Sequence, residues 1–271
     1  MPWCRAVPRS DIGALAAFAA LGWRTAAAER AATLGRLALY FLILAVFWGL
    51  WRATPLAELG RPELTPDRLF WYLVLTESIA IGTGYPYRSL EAEICSGDIA
   101  AGLARPVPYA LATLAEWAGM TACRVLVLAA GGLVAGIWLT GAVPVPAPAF
   151  PALAVSLALA ALIVLLCQLQ LGYAACWFGS AGPFFWIWQK LSFVLGGLIL
   201  PLTLYPPPWR GLAEASPFAA MLFAPGSLAL GLSRPGIAMT LAGQLCWLAA
   251  LALATWVVDR AAMARFADRG V

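Results

Sequence analysis

Long, strongly apolar segments constrain the fold of this chain more than any other feature. Six of them come close to the roughly 20 residues that an α-helix needs to cross a bilayer. They cover about 34–53, 69–85, 122–142, 152–177, 184–204 and 237–258. Only 11% of the residues are charged, against about 25% in soluble domains. We therefore predict an all-α integral membrane protein whose membrane domain, residues 34–258, contains six transmembrane helices.

The first 33 residues are less apolar and predict a different kind of helix. Basic residues are spread along this segment among alanines, and apolar residues recur every three positions at Ile12, Leu15, Phe18 and Leu21. This pattern is typical of an amphipathic helix that lies in the membrane interface. A secretory signal peptide is the alternative, but its basic residues would not be spread throughout. We predict an uncleaved interfacial helix at 1–33 and a cytoplasmic C-terminal tail at 259–271.

The stretch from Glu91 to Pro108 is the only sizeable polar segment among the apolar runs. Ser96, Gly97 and Asp98 give a turn and helix-start signal. Apolar residues at about one-turn spacing then continue to Arg105 and Pro106, where a helix would stop. The segment predicts a short amphipathic helix at the membrane surface. An ordinary polar loop between two spans is the alternative.

The residue order in this segment is Ile-x-Ser-Gly-Asp-Ile-Ala, followed by Leu-x-Arg-Pro, at 94–100 and 103–106. This order resembles the signature of one group of ABC-2 type transporter permeases, the membrane subunits of ATP-driven exporters. The resemblance implies that the segment is a cytoplasmic coupling helix between spans 2 and 3, where such a permease contacts its ATPase. The implied coupling residues are Glu91, Glu93, Ser96, Gly97, Asp98, Arg105 and Pro106.

The same resemblance implies partners. A permease of this kind works with two ABC ATPase subunits and with a second permease, which we expect to be a related chain rather than a second copy. ATP and Mg would be bound by the partner ATPase subunits and no cofactor by this chain. The sequence is consistent with separate ATPases, because it contains no Gly-x-x-x-x-Gly-Lys-Ser/Thr phosphate-binding loop.

Residues 205–235 are strongly apolar but contain too many prolines for an ordinary span. The prolines are Pro206, Pro207, Pro208, Pro217, Pro225 and Pro235. Two short helices that dip into the outer leaflet, at roughly 217–223 and 226–232, would accommodate both properties if their loops were buried in protein. The family resemblance also implies short re-entrant or outer helices between spans 5 and 6.

The basic residues predict an orientation. With both termini in the cytoplasm, the outer segments hold only five of the 17 basic residues. These five are Arg52, Arg61, Arg68, Arg210 and Arg234. Cytoplasmic segments of membrane proteins carry an excess of Lys and Arg. We therefore expect both termini and the segment from Glu91 to Pro108 on the cytoplasmic side of a multi-pass protein. The family resemblance implies that the membrane is the bacterial inner membrane.

Glu77 and Gln189 are the candidates for a translocation path, which we expect spans 2 and 5 to line. A carboxyl group inside a bilayer is costly and is a functional hypothesis by default. Three other roles for Glu77 remain open: a hydrogen-bonded or protonated carboxyl group that joins two helices, a position nearer the interface, and ion coupling in a secondary transporter.

Metal and enzyme functions are disfavoured by the residue types present. The chain has no histidine, and its six cysteines form no Cys-x-x-Cys pair, so we expect no metal site. An intramembrane enzyme would need a cluster of catalytic groups, and the sequence offers only one carboxylate inside a span. We predict a non-enzymatic permease subunit that exports a hydrophobic or amphipathic substrate in a heteromeric complex. An ion-coupled secondary transporter and a membrane scaffold subunit are the alternatives.

Overall fold

The computed structural model describes residues 9–55, 64–145, 149–231 and 236–268, and these residues form helices and their connections without a strand. In chain order the helices are α1 (Arg9–Ala28), α2 (Arg30–Ala53), α3 (Pro66–Thr83), α4 (Tyr87–Ser96), α5 (Ile99–Leu103), α6 (Tyr109–Thr140), α7 (Phe150–Tyr173), α8 (Ala175–Phe178), α9 (Gly182–Leu195), a 3-10 turn (Leu202–Leu204), α10 (Pro207–Glu214), α11 (Pro217–Met221), α12 (Phe223–Ala229) and α13 (Gly236–Asp268). The all-α prediction is confirmed for the described residues.

Four helical segments are long and apolar enough to cross a membrane. They are α2, α6, α7 continued through α8, and α13. They correspond to the first, third, fourth and sixth predicted spans. Helix α3 has 18 residues and includes three charged side chains, and α9 has 14 residues. Crossing of the membrane at 69–85 and 184–204 therefore stays a prediction.

A continuous helix through the predicted fifth span to Leu204 is not found. Helix α9 ends at Leu195, and Gly197 has a positive φ of 63°, a backbone conformation that glycine adopts without steric cost. The carbonyl groups released at this break are satisfied by α3. The Tyr72 hydroxyl donates to the Gly197 carbonyl, and Thr76 Oγ1 donates to the Leu198 carbonyl at 2.9 Å. Helix α3 thus stabilises an irregular segment that would otherwise leave buried carbonyls unpaired.

Helix α1 packs along the first half of α6 rather than standing alone. Its contact is made by glycines: a Cβ atom at Gly22 would collide with the Glu116 carbonyl, and one at Gly119 would collide with the Ala19 carbonyl. Small residues at both positions allow the two backbones to approach closely. Ile12, Leu21 and Trp23 stay exposed on α1. Its place in the membrane interface stays a prediction.

Three short helices occupy the proline-rich stretch before α13. Helices α11 and α12 replace the two predicted at about 217–223 and 226–232, while α10 was not predicted. Helix α12 begins at Phe223 rather than Gly226, because Pro225 fits the first turn of a helix, where no intrahelical N–H donor is needed. Gly226 lies against the ring of Tyr72, where a Cβ atom would not fit.

The last helix continues well beyond the sixth predicted span. Within the predicted tail, residues 259–268 extend α13 without a break. Ala262 and Phe266 are buried in a cluster with Leu90, Ile99 and Trp117. The end of α13 therefore supports α4, α5 and α6. Three parts of the predicted elements lie outside the described residues: 1–8 of the interfacial helix, the end of the second short helix at Leu232, and 269–271 of the tail.

Candidate functional site

The predicted coupling segment contains two helices, α4 and α5, where the sequence predicted one that starts at Ser96. Gly97 separates them, with a φ of 83° and no neighbouring atom that a Cβ would meet. A left-handed glycine after the last helical residue is a common helix stop. The Ser96–Gly97–Asp98 signal therefore ends a helix as well as starting one, and Glu91 and Glu93 belong to the preceding helix α4.

Ser96, Gly97 and Asp98 form an exposed tip between the two helices. Ser96 Oγ donates to Asp98 Oδ2 at 2.7 Å, and the Asp98 backbone N–H donates to Ser96 Oγ at 3.4 Å. The Asp98 carboxylate makes no capping bond to α5. These bonds fix the shape of the tip. The exposed Asp98 carboxylate can still accept hydrogen bonds from solvent or from a partner.

Glu91 and Glu93 face the rest of the protein instead. Glu91 Oε1 accepts hydrogen bonds from Ser180 Oγ at 2.8 Å and from the Ala181 N–H at 3.0 Å, in the turn between α8 and α9. Glu93 Oε2 accepts one from Tyr109 Oη at 2.7 Å, at the start of α6. The two carboxylates therefore anchor α4 to the neighbouring helices.

Arg105 and Pro106 are exposed after the end of α5. The Arg105 guanidinium lies 5.7 Å from the ring centroid of Phe18 on α1, a cation–π distance. The predicted coupling residues thus fall into two groups. Glu91 and Glu93 hold the segment in place, and the other five form an exposed ridge, which we call the α4–α5 ridge: Ser96, Gly97, Asp98, Arg105 and Pro106.

The two residues predicted for a translocation path line the same partly open cavity. This cavity has a volume of about 470 Å³, and both Glu77 on α3 and Gln189 on α9 contribute to its wall. Aromatic residues form much of the remaining wall: Phe47, Tyr85, Phe185, Trp188 and Phe193. Its size is within the roughly 300–1,000 Å³ typical of small-molecule sites.

Glu77 is the deeply buried acid of this cavity, with 5% of its surface exposed. Among the described residues, no group donates a hydrogen bond to its carboxyl group or pairs with it. Its carboxyl oxygens are not among the fully buried side-chain atoms that lack a partner, and Glu77 lines the cavity. Glu77 does not join two helices through a direct hydrogen bond, so its carboxyl group can still bind a ligand, an ion or water.

Arg36 and Arg124 also line the cavity, and the sequence interpretation did not single them out. Both donate through Nη2 to the same oxygen, Oε2 of Glu29, at 3.2 and 3.1 Å. Burial raises the pKa of Glu29, but the two arginines outweigh it and leave this pKa below its usual value of 4.5. The signal that could have identified Arg36 and Arg124 is their position inside apolar runs.

Comparison with known protein families gives a match over most of this chain. A family model described as "ABC-2 family transporter protein" matches residues 66–270, which cover more than half of the sequence. The matched region begins at α3 and includes the α4–α5 ridge, Glu77 and Gln189. The chain matches no curated protein and no solved structure.

Proposed function

This chain belongs to the ABC-2 family of transporter proteins, and we propose that it is the permease subunit of an exporter driven by separate ATPase subunits. The observation that carries this proposal is the α4–α5 ridge, an exposed polar surface on a firmly anchored support. Leu90 of α4 and Ile99 of α5 are both buried in a cluster with Trp117 of α6, Tyr173 of α7 and Phe266 of α13. A partner that pushes on the ridge would move a packed unit rather than a loose loop.

The ridge is the proposed contact for one of the two ABC ATPases of the complex, and the second permease would contact the other. Ser96 and Asp98 present hydroxyl and carboxylate groups, and Arg105 presents a cation, so the surface can make charge-assisted hydrogen bonds across an interface. ATP and Mg would be bound by the ATPases, which then close together and move the ridge. Glu91 and Glu93 would transmit that movement through their bonds to the α8–α9 turn and to α6.

The cavity between α3 and α9 is the proposed translocation path, with Glu77 and Gln189 in its wall. In this proposal α3 and α9 cross the membrane as spans 2 and 5, which completes six spans, and α10, α11 and α12 lie near the outer surface. The path would be completed by a second, related permease. Its aromatic wall suits a hydrophobic or amphipathic cargo, and the basic residues favour cytoplasmic termini. The proposed membrane is the bacterial inner membrane.

The experiment is affinity purification of the tagged chain from its native membrane in mild detergent, with mass spectrometry of the co-purifying proteins and an ATPase assay. We expect nucleotide-binding subunits, a second permease and ATP hydrolysis. Gly97→Ala forces a side chain into a left-handed backbone, at a cost of about 1 kcal/mol. We expect this variant to lose most of the co-purifying ATPase.

Gly141→Ala is the matched control. Gly141 also has a left-handed backbone, with a φ of 75°, and also stands in open space, but it ends α6 far along the chain from the ridge. It should retain the ATPase. A chain that purifies without any ATPase in several detergents would contradict the proposal and favour an ion-coupled transporter, in which Glu77 is the first residue to change.

A further inference from the structure

The arginine pair in the cavity wall is short of acceptors. Arg36 and Arg124 converge on one carboxylate oxygen of Glu29, so two guanidinium groups share one direct ion-pair partner. Arg36 Nη1 and Arg124 Nε are buried, and no group among the described residues accepts a hydrogen bond from either atom. Buried guanidinium donors without acceptors are costly, so Glu29 alone compensates these two side chains incompletely.

A molecule in the cavity would meet the two arginine side chains and not Glu29. Both arginines contribute to the cavity wall, whereas Glu29 does not. Their side chains are 25% and 13% exposed, so solvent screens them only in part. Guanidinium groups bind phosphate and carboxylate oxygens through paired hydrogen bonds, which an ammonium group cannot reproduce.

The rest of the wall determines what can be attached to the anion. Beyond the arginines the cavity is lined by apolar side chains such as Leu39, Ile43 and Phe47, and by the aromatic residues of α9. Glu77 is the acidic member of this wall, and its carboxyl group disfavours a second negative charge. The wall therefore suits a molecule with one anionic end and an apolar body.

We infer that the cavity binds an amphiphile whose single phosphate-type head contacts Arg36 and Arg124 and whose apolar chain lies along the aromatic wall. Identifying this amphiphile as the cargo rests on the proposed transport function, but the binding site itself does not. The head could belong to a membrane phospholipid or to a free alkyl phosphate, and both present the same chemistry to the arginines.

The test is titration of the purified full chain, in a neutral detergent, with dodecyl phosphate, with bound molecules counted by native mass spectrometry. We expect saturable binding of one molecule per chain. Dodecyltrimethylammonium, which has the same chain and the opposite charge, and inorganic phosphate, which lacks the chain, should each bind at least about tenfold more weakly. Equal or tighter binding of the ammonium compound would overturn the inference.

Variants separate a ligand contact from a structural ion pair. Arg36→Gln and Arg124→Gln should each weaken dodecyl phosphate about tenfold, as expected for the loss of a charge-assisted hydrogen bond. Glu29→Gln removes the same ion pairs but keeps both guanidinium groups, so it should bind at least as tightly as the unmodified chain. If Glu29→Gln weakens binding as much as Arg124→Gln, the arginines act only in folding and the inference fails. Arg260→Gln is the control, because Arg260 stacks on Trp256 and is absent from the cavity wall.

A second arm identifies the source of the head group. The same titration is repeated in phosphatidylcholine nanodiscs with and without phosphatidylglycerol. If phosphatidylglycerol competes with dodecyl phosphate, the site binds a membrane lipid. If phosphatidylglycerol does not compete, the site binds a free amphiphile. A complex that hydrolyses ATP but does not bind dodecyl phosphate would overturn this inference alone. Binding of dodecyl phosphate by a chain that co-purifies with no ATPase from its native membrane would overturn the proposed function alone.

Discussion

Glu29 connects three helices through a single side chain. It lies in the short break between α1 and α2, and its Oε2 accepts hydrogen bonds from Arg36 on α2 and from Arg124 on α6. The Glu29 side chain is 37% exposed, so each ion pair is screened and contributes at most about 1 kcal/mol. Its role is therefore to set the position of α1 and of the two arginines rather than to dominate stability.

The lowered pKa of Glu29 predicts a pH effect with a definite sign. A carboxyl group whose pKa falls on folding stabilises the folded state above its usual pKa of 4.5, and this stabilisation is lost as the pH drops below that value. Thermal unfolding in detergent, measured from pH 7 down to about 3.5, should therefore show a decline that is smaller in Glu29→Gln than in the unmodified chain. Identical pH profiles for the two proteins would contradict this role of Glu29.

At the scale of elements, the contact between α1 and α6 depends on two glycines. Gly22 and Gly119 each face a backbone carbonyl of the other helix, and a backbone atom cannot move aside as a side chain can. The N-terminal helix is therefore an integrated part of the bundle. It also lies beside the α4–α5 ridge, because Arg105 contacts Phe18.

Two glycine substitutions test this packing. Gly119→Ala should destabilise the protein by about 1–3 kcal/mol, since overpacking outweighs the gain in helix propensity. Gly243→Ala is the matched control, because Gly243 lies in α13 with open space around it, so the same change should be neutral or stabilising by up to about 1 kcal/mol. The measurements are thermal unfolding and protease cleavage between α1 and α2. Equal stability of the two variants would show that α1 does not pack as described.

The helices that could be predicted from the sequence are those that depend only on the length and hydrophobicity of their own segment. The apolar runs behind α2, α6, α7 and α13 were recognised because a span needs length and hydrophobicity and little else. The contact between Gly22 and Gly119 could not be predicted, because it depends on which helices meet. The end of α9 was missed although Gly196 and Gly197 were visible, since glycines also occur within membrane helices.

The candidate site was predicted in part for similar reasons. Glu77 and Gln189 were selected as polar residues in apolar runs, and the fold brings both to one cavity. Arg36 and Arg124 were counted only as cytoplasmic positive charges, and nothing in the sequence places them beside Glu29. The boundary within the coupling segment was missed because Ser-Gly-Asp signals both the end of one helix and the start of the next.

At the scale of the whole molecule, α6 joins the two candidate sites. Its first residue, Tyr109, bonds to Glu93 of the coupling segment, Trp117 packs in the cluster under α4 and α5, and Arg124 lines the cavity. A displacement of the ridge would therefore act on the same helix that forms part of the cavity wall. This arrangement gives the proposed coupling a physical route, and its test is whether an ATPase binds at the ridge.

The central claim is that a separate ATPase docks on the α4–α5 ridge. The most direct measurement is photo-cross-linking in intact cells, with a benzoylphenylalanine at Ala100, which is exposed on α5 beside the ridge. A second probe at Leu212, exposed on α10, serves as the control for the proposed outer side. We predict an ABC ATPase cross-linked from Ala100 and none from Leu212. A cross-link to the ATPase from Leu212, or none from Ala100 in cells that contain the assembled complex, would contradict the account.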